Sequence, residues 1–583
     1  MDTDTAPATA LIATPSTLHS PTAGSRRSLW HRPWPQALAL YAGLSLLLTW
    51  PLGARLFSHI PLGTLPEATV PYFNLWTLSW NAERLAHGYH GYWDAPIFYP
   101  VHDAFALSEP QGLTGLLFAP LSAALGPVAG YNLTLLCLLC LNAAAGRRWL
   151  RVLGVSELSA TLGGALLLGL PFVQRELGVL QLCAVWPVVF GLSELARLAS
   201  APDPRALLRL GVWTVAIAWS CIYHVLFFGW LVLIGLFVLT RVELVSRRML
   251  VAGVVATLVV CAGIWPLMAA EERAVSQYTR SQDTIRAGSA SLLSYAQFPQ
   301  QTPLARLLPG WARSGQRRAL YPGIGLCVLA ALGWKHSRRY GLQRWRRYAL
   351  LFGALALWVS LGTRLQLGGL RPYVWFERHA LGFSQLRSPY RAGLFVHLGL
   401  LCFAGFGLDR VAGLAKRVRS PLARYAPIVC AALALFELTP LEFALQRFPH
   451  EVLQEPWIAW LAQQPEGAVA MVPPNASGRT RDYVDTTLAM MQATLHGHPL
   501  VNGYSGFFPP GPAHVTASTR RFPSPASLRA LRDAHVRYAV VDKQWPQASQ
   551  LLDEPAAGVR RVFSTTRRIV YRIDPVSAAP VSM

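Results

Sequence analysis

Five carboxylates stand close together in an aromatic stretch near the beginning of the chain, from Pro61 to Pro110. They are Glu67, Glu83, Asp94, Asp103 and Glu109. The whole chain of 583 residues has only 29 aspartates and glutamates, so a group of five among tryptophans, tyrosines and prolines indicates more than solubility. A carboxylate can take the proton from an attacking hydroxyl group. The stretch is therefore predicted to be a catalytic or binding surface, with Glu67 and Asp94 as candidate bases and Glu109 as a candidate substrate contact.

A second set of ionisable residues falls where apolar segments end. It consists of Arg175, Glu176, His224, Arg280, Arg387 and Arg391. Burial of such groups costs several kcal/mol unless they are paired or hydrated, which makes them functional candidates. Arginine binds phosphate through paired N–H donors. With the carboxylates, these residues predict an outward-facing pocket for an anionic substrate that is attached to a lipid.

Each of these candidates also has a simpler interpretation. Glu67 can be a solvated loop residue, and Asp94 can form a turn ahead of a proline. Glu109 can cap the helix that follows, where an acidic residue near the N-terminus is favourable. His224 can join two helices by a hydrogen bond, and the two arginines before the apolar run at 391–409 can extend to the membrane surface. The residues alone leave both interpretations open.

The composition indicates the class of protein. Hydrophobic residues make up 53% of the chain and charged residues only 14%. The mean hydropathy is +0.32, and several apolar runs are long enough to cross about 30 Å of hydrocarbon. These values predict a polytopic membrane protein. The formal charge of +23 does not indicate nucleic-acid binding, because the arginines lie between apolar runs and not on one continuous face. The eight cysteines all fall in apolar runs, so no disulfide framework or zinc site is expected.

The apolar runs predict about eleven transmembrane helices. They lie near 36–50, 128–145, 157–173, 177–196, 206–222, 224–240, 249–268, 319–334, 348–362, 391–409 and 425–441. Arginines before the first run place the N-terminus in the cytoplasm, and the basic linkers then all fall on that side. The short run at 111–126 is interrupted by Pro120 and is predicted to lie along the membrane surface, since a crossing there would place the basic linkers outside.

Three parts are expected along the chain. Residues 1–24, rich in Ala, Thr, Pro and Ser, predict a disordered cytoplasmic tail. Residues 25–441 predict the membrane domain, with a first outer loop at 53–110, and residues 442–583 predict a small extracytoplasmic α/β domain. The elements expected in the last part are strands at 468–472, 538–541 and 569–573 and helices near 451–464, 486–495 and 525–534. Ser524 before Pro525 is typical of a helix N-cap.

Several strings in the sequence resemble those of one class of membrane enzyme. They are NLWTLSWNAERL, WDAPIFYP with ALSEP, RSPYRAGLFVHLGLLCFAGFGLDR, and VNGYSGFFPP followed by VRYAVVD. Together with the order of the parts, they resemble uncharacterised bacterial members of the GT-C class of integral-membrane glycosyltransferases, over residues 36 to 545. The resemblance implies a mainly α fold, in which a GT-C-like core of membrane helices carries a smaller C-terminal domain.

The GT-C resemblance also implies an activity. A sugar would move from a polyprenyl-phosphate-linked donor to a glycan, lipid or protein acceptor on the extracytoplasmic face of a bacterial cytoplasmic membrane. An acidic residue in the first outer loop is the implied base. The class usually carries a pair of acids soon after the first span, whereas this chain has Glu67 alone and Val70 where a second acid is expected. Glu67 therefore either replaces the usual aspartate or belongs to a degenerate site.

Two classes of function follow from the sequence. The first is an inverting glycosyltransferase, with Arg280, Arg387 and Arg391 as phosphate contacts, no required cofactor, and a divalent metal as a compatible addition. The alternative is a non-enzymatic membrane protein, such as a lipid or polysaccharide transporter or an assembly factor of the cell envelope. Transporters more often carry charged residues at mid-membrane and inverted repeats. Here the polar residues fall mainly at the outer ends of the apolar runs, which favours the glycosyltransferase.

Overall fold

The computed structural model describes residues 33–239, 246–315, 318–380, 382–440, 443–474, 479–548 and 558–574. The predicted tail at 1–24 lies outside these residues. So do residues 240 and 441, which end two predicted spans, and residues 575–583, which end the predicted C-terminal domain.

The chain up to residue 438 is mainly helical. Its helices are α1 (Pro33–Leu48), α2 (Thr69–Ala86), α3 (Gly112–Leu125), α4 (Pro127–Val152), α5 (Glu157–Leu168), α6 (Pro171–Arg175), α7 (Leu180–Cys183), α8 (Trp186–Ser200), α9 (Pro204–Ala218), α10 (Ile222–Leu239), α11 (Arg247–Val275), α12 (Gln282–Ala287), α13 (Leu292–Ala296), α14 (Ile324–His336), α15 (Gln343–Leu361), α16 (Pro372–His379), α17 (Gly393–Ala415) and α18 (Ala426–Leu438). The long ones pack side by side, with α14 and α15 against α17, α5 and α8 against α4, and α9 against α11. This arrangement is the helical membrane part that the apolar runs predict.

Seven helices in the described part of the chain are long and apolar enough to cross a membrane, judged by length and composition. They occupy Pro127–Val152, Glu157–Arg175, Leu180–Ser200, Ile222–Leu239, Arg247–Val275, Pro389–Ala415 and Pro421–Leu438. Each coincides with a predicted span. The other four predicted spans are also helical, as α1, α9, α14 and α15, but these helices are shorter or carry more charge. The total of about eleven crossings therefore stays a prediction.

The first outer loop contains α2, a helix of 18 residues that the sequence pattern does not predict. Its buried side chains point in nearly all directions, which is typical of a helix that is covered on every side. Phe73 packs against Tyr504 of the C-terminal part with ring centres 5.4 Å apart, and Trp76 packs against Phe105 at 5.9 Å. The helix also packs against α3 and α4. It can therefore position side chains between the membrane helices and the C-terminal part.

The C-terminal part is built on a four-stranded sheet. The strands of the protein are β1 (His59–Pro61), β2 (Phe298–Pro299), β3 (Arg313–Ser314), β4 (Leu445–Arg447), β5 (Ala468–Val472), β6 (Val536–Asp542), β7 (Val559–Ser564) and β8 (Arg568–Ile573). The sheet has the order β5–β6–β8–β7, with β5 and β6 parallel and the other neighbours antiparallel. The helices that follow α18 are α19 (Pro456–Leu461), α20 (Val484–His496), α21 (Pro510–Ser518) and α22 (Pro525–Asp533).

These elements match the secondary structure expected for this part of the chain. Strands β5, β6 and β8 lie where strands are predicted, and α19, α20 and α22 lie where helices are predicted. The side-chain oxygen of Ser524 accepts a hydrogen bond from the amide of Ser527, so the predicted N-cap of α22 is present.

The C-terminal part is attached to the first outer loop. Strand β1 pairs antiparallel with β4. The amide of Tyr99 donates to the carbonyl of Leu500 at 3.0 Å, and the amide of Leu500 donates to the carbonyl of Pro96 at 3.0 Å. One hydrophobic core extends from the membrane helices through α2 to one face of the sheet, and a second core covers the other face together with α22. The two parts thus share a core, while the extracytoplasmic position of the sheet stays a prediction.

Candidate functional site

Glu109 ends the first outer loop and is held in place by α2. The Nδ2 of Asn81 donates to the carbonyl of Pro110 at 2.7 Å, and the Nε2 of Gln111 donates to the Oδ1 of Asn74 at 2.9 Å. Gln111 has a left-handed backbone conformation, with φ of 53°, where the loop turns into α3. These bonds fix Glu109 at the junction between α2 and α3.

Arg391 lies in a turn of 3-10 helix, Pro389–Ala392, that precedes α17. The amide of Tyr390 in this turn donates to the carbonyl of Gly288, which follows α12, at 3.1 Å. A Cβ atom at Gly288 would lie 1.9 Å from the carbonyl oxygen of Arg387. Because only glycine allows this approach, the residue fixes the turn from which Arg387 and Arg391 project.

The two turns bring acidic and basic side chains together. The Nη1 of Arg391 lies 3.8 Å from the Oε1 of Glu109, and the hydroxyl of Tyr390 donates to the Oε1 of Glu176 at 2.5 Å. The guanidinium of Arg391 also lies over the ring of Tyr223, 4.1 Å from its centre. Arg391 is 5% exposed and Glu176 is 1% exposed. A buried arginine therefore stands between two carboxylates and an aromatic ring.

Arg280 and Arg387 add positive charge to this cluster. The Nη2 of Arg280 donates to the carbonyl of Gly506 at 2.8 Å, and its guanidinium lies 3.6 Å from the centre of the Phe507 ring. Burial, and next the charge of Arg387, lower the pKa of Arg280 to about 10. The charge of Arg387 also acts on Glu109. Arg391 and Arg387 therefore act on the Glu109 carboxyl, and Arg280 lies beside Arg387.

The predicted residue His224 is fully buried beside the same cluster. It follows Tyr223 near the beginning of α10 and lies within reach of the charge of Arg391. Its ring centre is 6.4 Å from that of Phe172. Glu109, Glu176, His224, Arg280, Arg387 and Arg391 thus form one group of neighbours, here called the arginine cluster.

The arginine cluster has the electrostatics of an anion site. Burial raises the pKa of the Glu109 carboxyl, and the charges of Arg391 and Arg387 only partly oppose this effect. The Nε of Arg391 and the Nε of Arg280 are buried and make no hydrogen bond within the part of the chain that the structure describes. These guanidinium donors can bind the oxygens of a phosphate. Within the same residues, no three His, Cys, Asp or Glu side chains are grouped as metal ligands.

Glu67 lies just before α2 and has other neighbours. Burial raises the pKa of its half-buried carboxyl, while the charge of Arg481 lowers it and that of Asp482 raises it. The hydroxyl of Thr64 donates to the carbonyl of Arg175 at 3.1 Å. The backbone of Arg175 thus holds the loop of Glu67 against the segment that carries Glu176. Arg175 itself is 4% exposed.

Asp94 is bound within the first outer loop and is not a member of the arginine cluster. Its side chain is 57% exposed, with the Oδ1 at 3.4 Å from the Nδ1 of His102. The same oxygen accepts a hydrogen bond from the amide of Asp103 at 2.9 Å. Asp103 is held by Arg273, whose Nε and Nη2 donate to its two carboxylate oxygens at 2.7 and 2.9 Å. These contacts bind the Asp94 carboxylate to a later part of its own loop.

Three contributors to the cluster are absent from the sequence prediction. Glu271 lies close enough to Glu109 for their charges to interact, because α11 continues to Val275, past the predicted end of its span. The sequence signal for Glu271 is that it is the first acidic residue after an apolar run. Gly506 and Phe507 contact an arginine that is more than two hundred residues earlier in the chain, and no local pattern predicts such a contact.

The fold is that of the GT-C class of integral-membrane glycosyltransferases, as the resemblance in the sequence implies. The chain superposes on the cryo-EM structure of the arabinofuranosyltransferase AftD from Mycobacteria with a TM-score of 0.53 and 15% sequence identity. The match covers 92% of this chain and 40% of the AftD chain, so this chain spans less than half the length of AftD. The crystal structure of ArnT from Cupriavidus metallidurans bound to undecaprenyl phosphate matches with a TM-score of 0.49 and 14% identity, over 92% of this chain and 97% of that one. No protein-family model and no curated protein matches the sequence.

Proposed function

We propose that this protein is a membrane glycosyltransferase that moves a sugar from a polyprenyl-phosphate-linked donor to an acceptor on the extracytoplasmic face of a bacterial cytoplasmic membrane. The observation that carries the proposal is the arginine cluster. The half-buried Arg280 and the buried Arg391 each keep a buried Nε donor without a hydrogen bond in the described chain, beside membrane helices that share the GT-C fold. An anionic group on a lipid chain is a ligand that fits both features.

In this proposal the arginines bind the phosphate or pyrophosphate of the donor. As the bond to the sugar breaks, negative charge grows on the departing phosphate oxygen. Donors that are already oriented in a poorly hydrated site stabilise that charge at little cost of reorganisation. Glu109 supports this role, since it lies 3.8 Å from Arg391 and helps to orient it. The proposal requires no cofactor, and metal dependence is measured in the assay below.

We propose Glu67 as the base. In an inverting displacement the acceptor hydroxyl attacks the face of the sugar opposite the leaving group, so its base stands away from the phosphate contacts. Glu67 satisfies this condition, because its charged neighbours are Arg481 and Asp482 and not the arginine cluster. Burial raises the pKa of Glu67, which makes its carboxylate a better proton acceptor. Asp94 is less suited, since its carboxylate is exposed and bonded to its own loop.

The proposal also assigns the acceptor and the orientation of the chain in the membrane. The acceptor is a glycan, lipid or protein that reaches Glu67 from the extracytoplasmic side. The N-terminus is cytoplasmic, and the C-terminal sheet lies on the same side of the membrane as the arginine cluster. The hydrogen bond from Arg280 to Gly506 supports this arrangement, since it joins the cluster to the C-terminal part.

The test is transfer of radiolabelled sugar by the purified protein in lipid, from a panel of polyprenyl-phosphate sugars, with and without a chelator. Three proteins are compared: wild type, Glu67→Gln and Asp94→Asn. We expect transfer or donor hydrolysis by wild type, loss of transfer in Glu67→Gln, and near-normal transfer in Asp94→Asn. Activity that survives in Glu67→Gln and disappears in Asp94→Asn would reverse the assignment of the base. A folded wild-type protein that turns over no donor with any acceptor would favour the non-enzymatic alternative.

A further inference from the structure

A second arginine-rich region lies far along α4 from the arginine cluster. Near the beginning of α4, the Nδ2 of Asn132 donates to the carbonyl of Leu56 in the first outer loop at 2.7 Å. Arg147 follows later on the same helix, and a rise of 1.5 Å per residue places it about 22 Å away along the helix axis. An open cavity of about 690 Å³ lies here, between α1, α4, α8 and the beginning of α9. The sequence predicts this side to be cytoplasmic.

Four arginines line the cavity, namely Arg147, Arg148, Arg151 and Arg197. The rest of the wall consists of Trp34, Val152, Glu157, Ser200, Ala201 and Asp203. The guanidinium of Arg147 lies 3.8 Å from the ring centre of Trp34, and the same side chain pairs with Glu157. These contacts fix the Arg147 side chain, so this part of the cavity wall is rigid.

The ion pairs around the cavity leave positive charge in excess. Five arginines, the four that line it and Arg209, share the carboxylates of Glu157, Glu194 and Asp203. With five positive charges and three negative ones, the surplus is two. The Nε of Arg148 and the Nε of Arg197 are buried and make no hydrogen bond within the described residues. The cavity can therefore accept an anion.

An apolar surface continues from the cavity. Leu38 lies four residues after Trp34 on α1, so the two side chains share one face of the helix. Both are large hydrophobic side chains that remain exposed, at 46% and 44%. Tryptophan is enriched at the depth of the lipid headgroups. A ligand with a phosphate in the cavity could thus extend an acyl chain along this face.

We propose that this cavity binds the phosphate headgroup of an anionic phospholipid of the membrane leaflet on that side. Basic pockets between membrane helices on the cytoplasmic side are suited to such headgroups. The surplus charge and the unbonded Nε donors bind the phosphate, and the exposed apolar face of α1 distinguishes a lipid from a free phosphate ion. The proposal does not depend on the glycosyltransferase activity.

The experiment measures lipid binding to the purified full-length protein by native mass spectrometry. Phosphatidylglycerol is compared with phosphatidylcholine of the same acyl chains. The variant Arg151→Gln/Arg197→Gln removes the two lining arginines that are most exposed, at 45% and 41%. The matched control is Arg338→Gln/Arg339→Gln, which removes two exposed arginines between α14 and α15 that do not line the cavity.

We expect wild type to prefer phosphatidylglycerol, the cavity variant to bind it about tenfold more weakly, and the control to change less than about twofold. Equal losses in both variants would mean that binding follows net charge, and an unchanged cavity variant would locate binding elsewhere. Competition by inorganic phosphate as strong as that by the lipid would mean a soluble anion site. Each of these three results overturns the proposal.

A second variant tests the cavity without removing an arginine, in case the double mutant does not fold. Ala201 lines the cavity and has an extended backbone, so Ala201→Trp fills the space without removing any charge. We expect this variant to lose phosphatidylglycerol while it melts at the wild-type temperature in phosphatidylcholine. Wild-type lipid binding by Ala201→Trp would overturn the proposal whatever the arginine variants do.

Discussion

Arginines and carboxylates meet at two places in this molecule, and they meet in different ways. Around the cavity near α8, Glu194 is fully buried, with the Nη2 of Arg148 at 2.8 Å and the Nε of Arg209 at 2.9 Å. In the arginine cluster, Glu109 and Arg391 approach only to 3.8 Å. Short pairs with good geometry compensate the cost of desolvation. The pairs of Glu194 thus join α4, α8 and α9, whereas the looser pair of Glu109 and Arg391 can reorganise around a ligand.

The comparison separates stability from function. A carboxylate that is closely paired with several arginines contributes to folding stability. Its loss should lower stability without directly affecting sugar transfer. A carboxylate and an arginine that are held apart can reorganise around a substrate phosphate. The two places therefore predict different responses to the same kind of substitution.

The largest effect is expected from Glu194→Gln. The substitution leaves the three arginines around position 194 without their shared negative charge. Removal of one partner from a fully buried ion pair costs about 3–5 kcal/mol, and we expect the cost here toward the lower end, because the three arginines are 28%, 41% and 39% exposed. We expect a strongly lowered melting temperature in lipid, with normal sugar transfer per folded molecule. Glu83→Gln is the control: its carboxylate pairs with Arg84 but is 38% exposed, so the loss should stay below about 1 kcal/mol. Equal melting of the two variants would break the comparison.

The next effect concerns the arginine cluster itself. Arg391→Gln removes a guanidinium that the proposed reaction uses to stabilise the departing phosphate. Loss of one such donor typically lowers the turnover rate about 100- to 1,000-fold. We expect this loss in the transfer assay. Arg391→Lys serves as the matched variant, since it keeps the charge without the planar fork and should retain partial activity. Full transfer by a folded Arg391→Gln protein would remove the cluster from the reaction.

The pH dependence of transfer tests Glu67 as the base. A base acts as the carboxylate, so the rate should rise with pH through its pKa, and burial places that pKa above the usual glutamate value of 4.5. The charge of Arg481 lowers the pKa of Glu67, and that of Asp482 raises it. Arg481→Gln should therefore move the acid limb to higher pH, and Asp482→Asn should move it to lower pH. An acid limb that neither substitution moves would indicate that Glu67 is not the titrating base.

Sequence rules predicted the parts of this site that depend on local pattern. Glu109 and Arg391 were recognised because each is an ionisable residue beside an apolar run, where burial is costly unless the group has a use. Ser524 was recognised because the serine–proline pair is a local capping signal. Both rules need only a few neighbouring residues. The side-chain cap at Ser524 is present, and Glu109 lies 3.8 Å from Arg391, while the functional roles of these two residues stay predictions.

Contacts that depend on the whole fold could not be predicted. Helix α2 has apolar residues on nearly all faces, so its periodicity gives no amphipathic signal until the C-terminal part covers it. Asp94 and Glu67 look alike in sequence, but only the fold exposes the first and half-buries the second. The same holds for Phe507, whose ring contacts Arg280 although more than two hundred residues separate them in the chain.

The smallest effect is expected at Phe507. The guanidinium of Arg280 lies 3.6 Å from the centre of its ring. Phe507→Ala removes this contact, so Arg280 should be less well positioned. We expect the KM for the lipid-linked donor to rise about fivefold. The turnover rate should change less, because Arg391 and Arg387 are untouched. Phe507→Tyr keeps an aromatic face and should behave like wild type. Phe508→Ala is the control, since Phe508 packs on Phe98, Tyr483 and Tyr504. If Phe508→Ala raises the KM as much as Phe507→Ala does, the C-terminal part contributes packing and not donor binding. An effect specific to Phe507 would mean that the arginine cluster extends into the C-terminal part. The same segment also accepts the hydrogen bond of Arg280, at the carbonyl of Gly506.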